Sequence, residues 1–156
     1  EWLVRQFGDL QVCLQADGAA NVIHQTRATI SNGGCAVMFD LRNAFNSIDR
    51  RNILETCPDW AAGYTNTFYG APGHLLLRDS STLLSWRGVR QGDPLGPLLF
   101  AILFASVLLS CPVALALSLR TGFLDDGMLG GKIVELEVAF PEVAAAFAAV
   151  LLLRLR

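Results

Sequence analysis

The chain has 156 residues, a formal net charge of −2 and a hydrophobic fraction of 53%. The length fits a single domain. The charge excludes a free-standing nucleic-acid binder held by a broadly basic surface, so any such partner requires basic surfaces elsewhere in a longer protein. The apolar fraction exceeds the roughly 45–50% usual for soluble domains. It implies a large buried core, a membrane segment, or a core belonging to something larger. Cationic side chains are nearly all Arg, Lys132 being the sole lysine.

Cys13, Cys35, Cys57 and Cys111 form no C-x-x-C pair, which signals neither a zinc site nor a redox motif. They are expected as buried free thiols in a reducing compartment. Glu1 and Arg5 bracket a short apolar stretch without the core of a secretory leader. The chain has no initiator Met, in keeping with a partial polypeptide.

The first clear element is Cys35-Ala36-Val37-Met38-Phe39, an apolar run after Asn32-Gly33-Gly34, which predicts a buried strand ending at Asp40. Residues 41–48 read as a bend and a short helical turn. Asp49 can N-cap a helix over 50–54 that stops before Pro58. Gly70-Ala71-Pro72-Gly73 is a turn, and residues 74–78 and 83–89 form two strands joined by Asp79-Ser80-Ser81. A helix is expected to start at Gln91-Gly92-Asp93-Pro94, with Asp93 as N-cap and Pro94 in the first helical position.

Residues 95–119 contain no charge, and their length matches the roughly 20 apolar residues of a membrane span. Cys111-Pro112 interrupts the run, and a buried helix followed by a buried strand has the same profile. The helix is expected over 94–110 and the strand over 113–123, leading to a tight turn at Asp125-Asp126-Gly127. Residues 143–153 are Ala- and Leu-rich and expected to be helical. Strand, helix, hairpin, helix, strand and helix in this order predict an α+β fold, with helices packed on one face of a mostly antiparallel sheet.

Asp40, Asp125 and Asp126 each stand at the end of an apolar run. Carboxylates so placed are costly unless cations neutralise them. Magnesium binds through one or two carboxylates together with substrate phosphates, and two such ions can clamp the attacking and leaving oxygens of a phosphoryl transfer. Successive strand residues face opposite ways, so both members of the Asp125-Asp126 pair reach one site only at a turn. The plainer alternative makes Asp-Asp-Gly a hairpin turn and Asp40 a helix cap.

Three stretches taken together go further. Phe39-Asp40-Leu41-Arg42-Asn43-Ala44-Phe45-Asn46-Ser47 resembles the first catalytic motif of reverse transcriptases, in which an aromatic follows the aspartate by five residues. Arg90-Gln91-Gly92-Asp93-Pro94-Leu95-Gly96-Pro97-Leu98-Leu99-Phe100 resembles their second motif, and Phe123-Leu124-Asp125-Asp126-Gly127 the third. The order is the family's, and the wording is most like the non-LTR retrotransposon polymerases. Gln6-Phe7-Gly8 and His24 resemble the segment before the first motif, and no catalytic role is assigned to them.

The resemblance, which covers residues 6–131, implies a polymerase palm with a partial fingers insertion formed by the hairpin at about 70–92. It implies that Asp40 and Asp125, assisted by Asp126, hold two Mg²⁺ ions, for which Mn²⁺ is a possible substitute. Phe45 would lie under the sugar of the incoming nucleotide and exclude a 2′-hydroxyl. Gln91 and Gly92 would line the nucleotide and template side. The implied partners are an RNA template, a DNA primer and a dNTP, without a membrane, and the implied location is intracellular, in nucleus or cytoplasm. Residues 1–156 then form one partial reverse transcriptase domain, with the remaining fingers and the thumb expected on a longer polypeptide. Residues 132–156 do not show the family's later motifs. Two alternatives stand beside this reading: a catalytically inactive remnant of a retroelement polymerase, and a membrane protein with a span near 95–119.

Overall fold

The computed structural model describes residues 2–151. A short helix α1 (Trp2–Phe7) and a 3₁₀ turn (Gly8–Leu10) precede α2 (Gly18–Ser31). Strand β1 (Cys35–Asp40) is followed by the helical turn α3 (Ala44–Ser47), then α4 (Arg50–Thr56) and α5 (Asp59–Tyr69). A hairpin of β2 (Gly73–Leu76) and β3 (Thr82–Ser85) leads to α6 (Gly96–Leu109) and the helical turn α7 (Pro112–Leu115). Strands β4 (Leu119–Phe123) and β5 (Asp126–Gly131) and the long helix α8 (Ile133–Leu151) complete the described chain.

The main sheet has the order β1-β5-β4, with both pairings antiparallel, and β2-β3 stands as a separate two-stranded sheet. The expected α+β layering is present. On one face, Phe39 of β1 meets Phe104 of α6 and Phe140 and Phe147 of α8. Gly122 and Gly127 are cross-strand partners on that face. A Cβ on Gly127 would stand 2.0 Å from Phe39 Cζ, and one on Gly122 would stand 2.3 Å from Phe104 Cε1. The two glycines form a flat floor on which the rings of Phe39 from β1 and Phe104 from α6 rest.

Helix α6 is apolar on every side, and ten of its residues are buried, from Gly96 and Leu99 through Leu108. A helix hydrophobic all round belongs inside a core, and it packs among α1, α4, α7, α8 and β4. Strand alternation puts Met128 and Gly130 on the opposite face from Gly127 and Leu129. Helix α2 covers the far end of that face, where Thr26 Oγ1 lies 2.6 Å from Met128 Sδ. This cover refines the expectation of helices on one face. It leaves open the end of the sheet that carries Asp40 and Asp126.

Several boundaries differ from the sequence reading. The helix expected from Pro94 begins at Gly96, because Asp93 caps a preceding turn: its Oδ1 accepts from Leu95 N at 2.9 Å, and Gly96 N donates to Asp93 O at 3.1 Å. The strand expected over 113–123 is confined to Leu119–Phe123, since Pro112 initiates the turn α7. The tight turn is Leu124-Asp125, whereas Asp126 and Gly127 already belong to β5. The apolar stretch 95–119 is thus divided among α6, α7 and the start of β4. Among the described residues no helix is long and apolar enough to cross a membrane, which corrects the alternative of a span there. The predicted tail helix forms within α8, although residues 152–153 lie outside the described residues. Of the four cysteines only Cys111 is buried; Cys13 and Cys57 are half-buried and Cys35 is exposed at the start of an edge strand, which corrects the expectation of four buried thiols.

Candidate active site

The antiparallel register makes Asp40 the Cα partner of Asp126. Directly opposed residues project from the same face of a sheet, so these carboxylates share the open end. Asp125 occupies the adjoining turn, and its carbonyl accepts from Leu41 N at 3.3 Å. The fold therefore brings the backbone positions of the three aspartates of the first and third motifs to one end of the sheet. Asp40 and Asp126 are exposed and Asp125 is half-buried. Among the described residues none of the three carboxylates is engaged in a hydrogen bond or an ion pair.

Adjacent anionic oxygens without a cationic partner are the donor set that a hard divalent ion takes. Among the described residues no three His, Cys, Asp or Glu side chains form a ready-made metal cage. A divalent ion here would accordingly draw on two carboxylates plus oxygens brought by substrate.

Phe45 lies on α3, just after the bend that follows Asp40. Its ring is half-buried and stacks on Phe100 at a centroid distance of 4.5 Å. Its carbonyl accepts from Val89 N at 2.8 Å, which joins the first motif to the approach of the second. Gln91 and Gly92 are exposed. Gly92 has φ +85° with no protein atom near its missing Cβ, so within the chain glycine serves the backbone conformation there. His24 is exposed on α2.

The turn carrying Gln91 and Gly92 rests on a polar network that the sequence reading did not single out. Tyr64 Oη donates to Asp93 Oδ1 at 2.6 Å, and Tyr69 Oη makes a very short hydrogen bond to Asp93 Oδ2. Arg90 N in turn donates to Tyr69 Oη at 3.2 Å. Burial opposes ionisation of Asp93, but the two hydroxyls, Leu95 N and the charge of Arg90 outweigh it and hold the carboxyl below its usual range. Burial, reinforced by the bond to Asp93, pushes the Tyr69 phenol up to about 12.

Arg50 is the second organiser. It is 5% exposed, and its guanidinium donates to Gly88 O at 3.0 Å, Ser85 O at 2.7 Å, Ser85 Oγ at 3.1 Å, Arg87 O at 3.3 Å and Ala71 O at 3.4 Å. Burial, with repulsion from Arg90, lowers its affinity for the proton, yet an arginine remains charged under such conditions. Helix α4 thereby fastens both ends of the hairpin and the segment leading to Gln91.

The third unforeseen feature is the support of the aspartate turn. Leu124 has φ +56°, a conformation uncommon for a bulky L-residue. Gln11, 1% exposed, brackets it: Leu124 N donates to Gln11 Oε1 at 2.9 Å, and Gln11 Nε2 donates to Leu124 O at 3.1 Å. Gln11 and Leu124 lie 113 residues apart, so no local spacing in the sequence announces their contact.

An antiparallel sheet with helices on its faces and aspartates clustered at one end has the architecture of a polymerase palm. The chain belongs to the reverse transcriptase family: the family model described as "Reverse transcriptase (RNA-dependent DNA polymerase)" matches residues 4–150. It is similar to the Retrotransposable element SLACS 132 kDa protein of Trypanosoma brucei gambiense, with 32% identity over 138 residues. That alignment covers 81% of this chain and 12% of the relative, so the chain spans a small part of that protein's length. Among solved structures, apo telomerase from Candida tropicalis, truncated from its C-terminal domain, matches with a TM-score of 0.67 over 92% of this chain and 34% of the other, at 12% identity. At that identity the likeness speaks for the fold alone.

Proposed function

We propose that this chain is the catalytic palm of an RNA-directed DNA polymerase encoded by a retroelement. The observation that carries the reading is the convergence of Asp40, Asp125 and Asp126 at the open end of the sheet, in a chain matched by the reverse transcriptase family over residues 4–150. The reaction is nucleotidyl transfer: the primer 3′-oxygen forms a bond to the α-phosphorus of a dNTP, the bond to the β-phosphate oxygen breaks, and pyrophosphate leaves. The partners are an RNA template and a DNA primer, with the remaining fingers and thumb supplied by a longer polypeptide. The setting is intracellular, in nucleus or cytoplasm.

Asp40 and Asp125 would hold two Mg²⁺ ions, or Mn²⁺, with Asp126 assisting. When bound, such ions neutralise the charge developing on the reacting oxygens and help to align them. The ring of Phe45, fixed from behind by Phe100, gives the sugar a rigid wall and disfavours a 2′-hydroxyl. Gln91 and Gly92 line the nucleotide and template side, held by the Tyr64–Asp93–Tyr69 network.

The test is primer extension on an RNA template by the full polypeptide carrying this chain. Nucleotide addition is expected from the wild type, and Asp125→Asn is expected to reduce it by about a hundred- to a thousandfold, in line with losing electrostatic stabilisation of the transition state. Addition that survives in Asp125→Asn overturns the role given to that carboxylate. No addition by a folded wild type that binds primer and template supports the inactive-remnant reading instead.

A further inference from the structure

The Leu124-Asp125 turn is a two-residue connection between the cross-strand partners Phe123 and Asp126. A left-handed conformation costs an L-residue about 1–2 kcal/mol, and a bulky residue keeps it only where its surroundings over-determine it. Gln11 supplies that constraint. Its buried amide pairs with both the N–H and the C=O of Leu124, at 2.9 and 3.1 Å, as the peptide group of an additional strand would. The amide is itself anchored. Val12 N donates to Gly122 O at 2.9 Å, and Thr121 Oγ1 donates to Asp9 O at 2.5 Å, so residues 9–12 run along the edge of β4. From the other side, Leu41 N grips the Asp125 carbonyl.

We propose that Gln11 is a positioning residue for catalysis: it holds Leu124 in the left-handed conformation and so fixes the turn that carries Asp125 beside Asp40 and Asp126. The proposal rests on the polymerase reading of Asp125. It separates the cause of the strained turn from the local sequence, since Leu has no intrinsic preference for that conformation. A turn left to itself would relax and carry Asp125 out of register with the facing carboxylates.

The test compares wild type, Gln11→Leu, and Gln11→Leu combined with Leu124→Gly, with circular dichroism showing that each is folded. Glycine adopts positive φ without steric cost, so it makes the clamp unnecessary for the backbone. Two quantities are read: amide hydrogen exchange of residues 122–126, and the affinity for Mn²⁺ alone, followed by its paramagnetic resonance signal. Gln11→Leu is expected to speed exchange in the turn and weaken Mn²⁺ binding about tenfold. The double variant is expected to recover most of that affinity.

A merely structural glutamine predicts lower global stability with no recovery of Mn²⁺ affinity by glycine, and that result overturns the proposal. Unchanged exchange and affinity in folded Gln11→Leu overturn it equally. Where Gln11→Leu does not fold, Gln11→Glu, which keeps the acceptor for Leu124 N and loses the donor, takes its place with the same expectations. Asp125→Asn is measured alongside. If it binds Mn²⁺ as wild type does, the reading of Asp125 fails and the proposal with it. If it loses Mn²⁺ while Gln11→Leu does not, the role of Gln11 alone is refuted.

Discussion

Asp40 and Asp126 face each other as Cα partners across β1 and β5, two like charges on one face of the sheet. Opposed like charges destabilise a sheet by an amount comparable to other cross-strand pairs, ~0.2–1 kcal/mol. In chelator, Asp126→Asn should therefore melt slightly above wild type. Added Mg²⁺ should reverse the order, because an ion that binds only the folded state stabilises it in proportion to its affinity. Thermal melts in both conditions check this. Identical melting of wild type and Asp126→Asn, both in chelator and with Mg²⁺, would show that the carboxylates sense neither each other nor the ion.

The Tyr69–Asp93 bond should show itself at both ends of the pH scale. Asp93 ionises below its ordinary range in the folded chain. Its contribution is thus complete above the unfolded carboxylate pKa and is lost as pH falls through the lower, folded value. Tyr69 is raised to about 12. Its contribution is complete below the unfolded value near 10 and is lost between pH 10 and about 12. A shift of that size corresponds to roughly 2–3 kcal/mol. Urea unfolding at pH 8, 10 and 11.5 should show wild type losing more stability than Tyr69→Phe over this window. Equal losses would assign the alkaline decline to other groups.

Phe45→Ala should change selectivity and stability by different amounts. The half-buried ring loses its stack on Phe100, so destabilisation should fall below the ~3–5 kcal/mol typical of fully buried Phe→Ala changes. If the ring also excludes a 2′-hydroxyl, incorporation of ribonucleotides relative to deoxynucleotides should rise severalfold. Single-nucleotide addition with both types decides the matter: lower total activity at an unchanged ratio makes Phe45 a core residue and not a gate.

Two glycine replacements should act in opposite directions. Gly127→Ala would drive a methyl into the ring of Phe39, and overpacking of that kind costs about 1–3 kcal/mol. Gly63 lies exposed within α5 with nothing near its missing Cβ, so Gly63→Ala should stabilise by roughly 0.5–1 kcal/mol. Denaturant midpoints for the two variants provide the comparison, and a stable Gly127→Ala would contradict the packing of Phe39 on the sheet.

The candidate site residues were legible because they belong to short contiguous motifs. Asp40 closes an apolar run, and Asp125-Asp126 follows another. Element boundaries were harder where a residue has two uses. Asp93 and Pro94 have the composition of a helix start, but the Asp93 carboxylate is committed to Tyr64, Tyr69 and Leu95 N, which delays the helix to Gly96. Gly127 reads as a turn glycine, whereas its lack of a side chain is required by a ring from the neighbouring strand. Strand β5 was missed for the same reason, since Asp-Gly-Met-Leu-Gly-Gly has little of the β-branched and aromatic content that marks a strand. Gln11 was illegible because its partner lies 113 residues away and its role exists only once β4 and β5 have paired.

Arg50 gives the hairpin a dependence of its own. A two-stranded hairpin is marginally stable in water, and Leu75, Leu76, Leu83 and Leu84 of β2 and β3 are exposed and contribute little packing. What orders the pair is one cation from α4, grasping carbonyls at both of its ends and at Gly88. Helix and hairpin are therefore expected to open together. Fraying of α4 would loosen, through Arg50, the backbone that leads to Gln91, which ties the order of that turn to a helix of seven residues.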